Sequence, residues 1–180
     1  MSAFVLSIFS EGIILPIYAI FVQKIGGDVL DAGLAMGIFL ISQGVFSILF
    51  HKIIRSDKKR ILFMSIGWFI WVLGIASYLI ISNVWMLFLT QILTSLGNAI
   101  ADPIFDQELA HHTDKKNEEF EWGFFEGSAN LVSGVAAILG GLVVSAWGFN
   151  ILIFGMVGTA TLSLLLIIFY SRLIQKIKIL

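Results

Sequence analysis

The sequence contains no cysteine, only two prolines and few charged residues. The absence of cysteine excludes disulfides, thiolate metal sites and cysteine nucleophiles. Charged residues make up 13% of the 180 residues, whereas they make up about a quarter of an ordinary soluble domain. The chain therefore has too few charges to cover a soluble surface.

The residue types that most enzymes need are also scarce. The sequence has three histidines, and each lies at the edge of a hydrophobic run, which excludes an intramembrane serine–histidine or zinc protease. No glycine-rich phosphate loop with its lysine is present, so nothing indicates ATP binding. A solvated loop explains Glu108, His111, His112 and Asp114 better than a metal site does, because nothing fixes their geometry. We expect no enzymatic activity, no cofactor and no metal.

Apolar residues dominate what is present. They make up 58% of the sequence, and the mean hydropathy is +0.98. Several uninterrupted apolar runs reach the length of about 20 helical residues that a hydrocarbon layer of roughly 30 Å requires. We predict an all-α integral membrane protein: one domain over residues 1–180, a bundle of six transmembrane helices near residues 3–23, 30–52, 60–82, 84–106, 121–147 and 150–171.

The basic residues predict how the bundle is oriented. Ten of the eleven lysines and arginines follow the second, fourth or sixth span, and only Lys24 lies on the other side. Loops rich in lysine and arginine stay in the cytoplasm. We therefore expect both termini in the cytoplasm and a multi-pass protein of the plasma (cytoplasmic) membrane.

Two spans carry polar residues at the depth of the lipid core. Glu11 lies inside the first span and shares a helix face with Ser7 and Tyr18. An ionised side chain at the bilayer centre costs about 2.5–3.5 kcal/mol on insertion scales. Glu11 is therefore either part of a proton or solute path or a protonated acid that joins helices. We predict a wet cavity between this face and a polar face of span four, which consists of Gln91, Thr94, Ser95, Asn98, Asp102 and Asp106.

Four charged residues near the predicted inner surface have a structural interpretation. Arg55 and Lys58 follow span two, Asp106 ends span four, and Glu126 begins span five. Ion pairs among them, or with Asp102, would secure the bundle and form part of a cytoplasmic gate. In span three, Trp68 and Trp71 are predicted to face lipid or to serve as packed bulk rather than to form a binding cage.

Small residues form stripes on two spans. Span two carries Gly33, Gly37 and Gly44 in line, and span five carries Gly127, Gly134 and Gly141. In lipid, small residues let helix backbones approach closely, and packing decides which helices associate. The stripes predict either packing inside the six-helix bundle or an interface between subunits.

The order of these features resembles one six-helix half of the major facilitator superfamily over nearly the whole sequence. The basic turn after span two keeps Arg55, Lys58 and Lys59 of the family signature G-x-L-A-D-R-x-G-R-K, but Phe50, Ile54 and Asp57 stand where Gly, Asp and Gly are expected. The other motifs that carry the likeness are Ser10-Glu11-Gly12, Leu15-Pro16-Ile17-Tyr18, Gly26-Gly27, Gly33, Gly97-Asn98-Ala99-Ile100, Asp102-Pro103, Gly123, Gly127 and Gly140-Gly141.

The resemblance implies a function as well as a fold. It implies a half-sized secondary transporter that moves a small molecule or ion by alternating access, with Glu11 as the candidate for proton coupling. Family halves meet through the helices equivalent to spans two and five, so the resemblance favours a homodimer through these spans. The alternative is a membrane scaffold, or a subunit of a larger membrane complex, that uses the same stripes without transporting anything.

Overall fold

The computed structural model describes residues 2–50, 60–112 and 118–177. Within them the chain forms seven α-helices and one short 3-10 helix, Leu15–Ile17, that lies between the first two. The α-helices are α1 (Ser2–Gly12), α2 (Tyr18–Lys24), α3 (Val29–Phe50), α4 (Arg60–Ser77), α5 (Val84–His112), α6 (Glu118–Trp147) and α7 (Phe149–Ile177). Helices α1 and α2 together make one membrane span, and α3 to α7 make the other five. The predicted all-α bundle of six spans is confirmed.

Three helices end elsewhere than the sequence suggested, and one of them, α7, continues to Ile177. Helix α4 ends at Ser77, because the chain turns at Tyr78, Leu79 and Ile80 through hydrogen bonds to carbonyls three residues back. Helix α5 continues past Asp106 to His112, although Pro103 lies inside it. Its start is capped by the Asn83 side chain, whose Oδ1 accepts the Met86 N–H at 3.0 Å, as helix N-termini require.

The first span is broken in its middle. Pro16 has no N–H to donate, and the backbone hydrogen bonds here tighten to a spacing of three residues, such as Ile17 N to Ile14 O at 3.0 Å. The break lies against α6 at Gly140, where an added Cβ would collide with the Ile13 carbonyl oxygen. Glycine is therefore required at position 140, and the contact holds the break in place.

Helices α4 and α5 pack closely against each other. Gly67 and Gly74 of α4 and Gly97 of α5 lie at the crossing, where a Cβ on any of them would meet atoms of the other helix at less than 3.0 Å. The nearest of these atoms to Gly97 is the Trp71 backbone nitrogen, at 2.5 Å. Small residues thus join backbones inside one chain.

Helices α3 and α6 are the least covered spans. Only 6% of α3 and 11% of α6 is buried, against 39–50% for the other four spans. A Cβ added at any glycine of their stripes would have no atom of the described chain within 4 Å. These glycines are Gly33, Gly37, Gly44, Gly127, Gly134 and Gly141. In the described part of the chain these six glycines therefore contact no other helix, and an interface between subunits stays a prediction.

The contrast between the two kinds of glycine can be tested. We expect Gly97→Ala to destabilise the protein by about 1–3 kcal/mol, because the new methyl group forces α4 and α5 apart. Gly158→Ala, on α7, is the matched control, since nothing lies within 4 Å of its added Cβ. The measurement is thermal unfolding in detergent, and equal midpoints for the two variants would show that the crossing is not tightly packed.

Candidate functional site

A cavity of about 260 Å³ opens between α1, α4 and α5. On α1 its wall follows the helical spacing of Phe4, Ser7, Ile8 and Glu11, which places these side chains on one face. The full lining is Phe4, Ser7, Ile8, Glu11, Trp68, Trp71, Asn98, Ala101, Asp102 and Asp106. We call this the first cavity. It contains part of each of the two polar faces predicted from the sequence.

Glu11 is held by two other helices and is still exposed to the cavity. The indole N–H of Trp71 donates to its Oε1 at 2.7 Å, and the amide of Asn98 donates to the same oxygen at 3.3 Å. These bonds join α1 to α4 and α5. Glu11 therefore contributes to packing, but its carboxyl group also remains open to a solute.

Two further carboxyl groups line the first cavity. The Gln43 side chain, from α3, donates to Oδ2 of Asp102 at 3.1 Å, while Asp106 is exposed. No lysine, arginine or histidine is among the residues that line this cavity in the described part of the chain. Among the described residues, no basic side chain in the wall balances the three acids, and these acids favour a proton or a cation over an anion.

The predicted gate is described only in part. Arg55 and Lys58 lie outside the described residues, so their pairing with Asp102 or Asp106 stays a prediction. Glu126 is exposed on α6 and does not line the cavity.

An ion pair that the sequence did not indicate is present at the start of α4. Arg60 pairs with Glu108 of α5 at 3.0 Å, and the Arg60 side chain is buried although it is charged. Glu108, one of four residues considered above as metal ligands, therefore ties two helices together. In the described ranges no group of three or more acidic or histidine side chains is placed to hold a metal ion.

A second cavity of about 110 Å³ lies along the later part of the first span. Its polar groups form a cluster in which the Gln91 amide donates to the hydroxyl oxygens of both Tyr18 and Tyr78. The hydroxyl of Thr94 donates to carbonyls of its own helix. The lining consists of Glu11, Ile14, Leu15, Tyr18, Met36, Phe39, Trp71, Ile75, Tyr78, Gln91, Thr94 and Met156.

The single cavity expected between the two polar faces is thus divided in two. Ser7, Asn98 and Asp102 lie with Glu11 in the first cavity, and Tyr18, Gln91 and Thr94 lie with it in the second. Glu11 and Trp71 are the two residues that both linings share. The carboxyl group therefore lies at the boundary between the cavities.

The expectation that Trp68 and Trp71 could face lipid was wrong. Both are 3% exposed. The indole of Trp68 donates to the Ser163 hydroxyl at 2.9 Å, which agrees with the alternative prediction that it packs inside the bundle. The indole of Trp71 donates to Glu11. The signal was available in the spacing, because the tryptophans share one helix face with Gly67 and Gly74, and such a face indicates a helix partner.

Comparison with known proteins agrees with the architecture. A family profile described as Major Facilitator Superfamily matches residues 1–176. The chain belongs to the major facilitator superfamily. An uncharacterized MFS-type transporter of Methanocaldococcus jannaschii is 26% identical over 139 residues, which are 77% of this chain and 36% of that protein. The chain thus matches about a third of the length of this curated relative.

Membership of this superfamily gives the cavities a context. The chain is an integral, multi-pass membrane protein of a transporter family. In such a protein, ionisable groups inside the membrane commonly mark a substrate or proton path. Glu11, bonded to two helices and exposed at the boundary of two cavities, has the position that such a group requires.

The absence of native cysteine makes the first cavity easy to probe. We expect Ser7→Cys to react with a small water-soluble thiol reagent, because its position lines the cavity, and thiolates form only where water enters. Ser10→Cys is the control on the same helix, since Ser10 is 0% exposed and donates to the Met156 carbonyl at 3.0 Å. Mass spectrometry of the folded proteins measures the labelling. Equal rates at the two positions would mean that the first cavity is not hydrated.

Proposed function

We propose that this chain is one half of a secondary transporter that moves a small, positively charged solute, or a solute together with a proton, by alternating access. The observation that carries this proposal is the position of Glu11, which is exposed, hydrogen-bonded and shared by both cavities. A group at such a boundary can exchange a proton or a solute with either cavity.

An ionised Glu11 is energetically costly inside the membrane. Placing an ionised group in the membrane costs about 2.5–3.5 kcal/mol on insertion scales, and an apolar residue would avoid that cost. Two hydrogen bonds to Oε1 offset part of it, but none of the described residues that line either cavity supplies a cationic partner. A cationic solute or a proton would complete the site, which supports a role in transport rather than in packing alone.

The orientation of the transporter follows from its basic residues. With ten of eleven on one side, both termini are proposed to lie in the cytoplasm of a cell whose plasma membrane holds the protein. The first cavity contains residues near the start of α1 and the end of α5, so it faces the cytoplasmic side. The second cavity lies nearer the turn that contains Gly26 and faces outward.

A complete transport path needs a second bundle, and we propose that a second copy of the chain supplies it. Helices α3 and α6 are largely uncovered, and their glycine stripes contact nothing within 4 Å. Superfamily transporters combine two parallel halves related by an axis along the membrane normal. Two copies with the same orientation satisfy that arrangement without either being inverted.

Glu11→Gln tests the transport mechanism. Glutamine keeps the shape and the hydrogen-bonding capacity but cannot ionise. We expect the folded variant to lose pH-dependent uptake in proteoliposomes by about tenfold or more, which corresponds to about 1.4 kcal/mol of lost interaction. Thermal-shift screening of small organic cations in detergent would first identify a solute, because a ligand of the folded state raises its apparent stability.

The control for that experiment is Glu119→Gln, an exposed acid near the start of α6 that lines neither cavity. It should leave the uptake and its pH profile unchanged. Full transport with an unaltered pH profile in Glu11→Gln would remove Glu11 from the mechanism.

The proposed dimer has its own test. We expect Gly134→Leu and Gly141→Leu to lower the dimer fraction in native-like lipid while leaving a folded monomer, because the added bulk prevents close approach of the backbones. Gly155→Leu on α7 is the control, since its added Cβ is equally unobstructed but lies outside the two stripes.

The outcomes separate the candidate occupants. Unchanged dimer populations in both variants would place the interface elsewhere. A wild-type chain that is strictly monomeric in native-like lipid would contradict the homodimer and favour a different bundle, or a larger membrane complex, as the occupant.

A further inference from the structure

Trp71 makes the shortest hydrogen bond to Glu11, although the sequence suggested only lipid contact or packing for it. Its indole N–H lies 2.7 Å from Oε1 of Glu11, and its side chain is 3% exposed. Apart from Glu11, it is the one residue that lines both cavities. Its position suggests a task beyond filling space.

The chemistry of the two donors decides where a proton can sit on Glu11. An indole N–H only donates, and a side-chain amide nitrogen also only donates. Trp71 and Asn98 both direct their hydrogens at Oε1, so this oxygen must remain an acceptor. No described residue donates to Oε2. A proton or a cation can therefore be exchanged at Oε2 without breaking the bond to Trp71.

Trp71 is also the better anchored of the two donors. Its backbone nitrogen lies where a Cβ on Gly97 would be only 2.5 Å away, so α5 packs directly against this point of α4. Its ring meets Trp68 edge to face, with centroids 6.4 Å apart. By contrast, the Asn98 contact is longer, at 3.3 Å. Trp71 is thus a rigid donor, as a positioning group must be.

We propose that Trp71 is a positioning residue for Glu11, holding Oε1 as an acceptor so that proton or cation exchange takes place at Oε2, at the boundary between the cavities. The proposal rests on the proposed transport function and adds a residue to its mechanism. The other titratable groups that line the cavities around Glu11 are Asp102 and Asp106 of α5, Tyr78 between α4 and α5, and Tyr18 of α2. Helices α3, α6 and α7 contribute no titratable side chain to either lining.

The test uses dicyclohexylcarbodiimide, an apolar reagent that modifies protonated carboxyl groups, on the purified full chain in lipid nanodiscs. Mass spectrometry of the peptide that contains Glu11 gives the pH at which labelling falls by half. Trp71→Phe keeps an aromatic ring but removes the N–H donor. A hydrogen bond donated to a carboxylate favours its ionised form, so losing this bond should favour the protonated form of Glu11. We expect the labelling midpoint to move to higher pH by about one unit.

Trp68→Phe is the matched control, one helical turn away. It loses an indole hydrogen bond of similar length, to Ser163, but no bond to Glu11. We expect it to reduce thermal stability about as much as Trp71→Phe does and to leave the Glu11 midpoint in place. An unchanged midpoint in folded Trp71→Phe, or an equal shift in both variants, would overturn the proposal.

A second measurement needs no folded Trp71 variant. In the wild-type protein labelled with 15N, the indole resonance of Trp71 should shift with pH over the range in which Glu11 labelling changes, because its acceptor gains or loses charge. In Glu11→Gln that shift should disappear. A Trp71 resonance that does not respond to pH while Glu11 titrates would contradict the proposal.

These results are distinguishable from those that test transport. If the midpoint shifts in Trp71→Phe but Glu11→Gln transports normally, Trp71 positions Glu11 and the proposed function fails. If Glu11→Gln abolishes coupled uptake but the midpoint does not shift, the proposed function stands and Trp71 has no positioning role.

Discussion

The close crossing of α4 and α5 is the contact on which the candidate site depends. Gly67, Gly74 and Gly97 let the two backbones approach to distances that no side chain at these positions would allow. Because Trp71 and Asn98 lie at this crossing on different helices, the approach brings their donors to a single oxygen of Glu11. A looser crossing would separate the donors, and Glu11 would lose the fixed orientation that distinguishes a site from a solvated acid.

The break in the first span places the acceptor. Glu11 lies immediately before the segment in which Pro16 interrupts the helical hydrogen bonds, and the break is held against α6 by the contact between Ile13 and Gly140. Most of the α1 lining residues therefore lie in the first cavity and Tyr18 of α2 lies in the second, while Glu11 lines both. Non-helical backbone is tolerated in a membrane where it is covered by protein or lines a cavity, and Ile14 and Leu15 of this segment line the second cavity.

The fold could be predicted from the sequence because lipid imposes a simple rule on length and composition, and six apolar runs satisfied it. Glu11, Asn98 and Asp102 could be assigned to one cavity because polar and charged groups at depth are costly. Trp71 could not be assigned by polarity, since tryptophan is apolar by most measures and its single donor matters only when an acceptor is near. The separation into two cavities depends on the bulk of neighbouring helices, which the polar pattern does not record.

Both largely uncovered helices reach the region around Glu11. Gln43 of α3 donates to Asp102 in the wall of the first cavity, and Ala136 and Gly140 of α6 pack against Gly12 and Ile13 at the break next to Glu11. Packed interfaces change between discrete arrangements rather than deforming continuously. A rearrangement of α3 or α6 against a second bundle would therefore move a group that contacts the site. Because such coupling is reciprocal, a change in charge at Glu11 or Asp102 would act on the same contacts in return. This arrangement would give the proposed alternating access a physical route from the proposed interface to the candidate site.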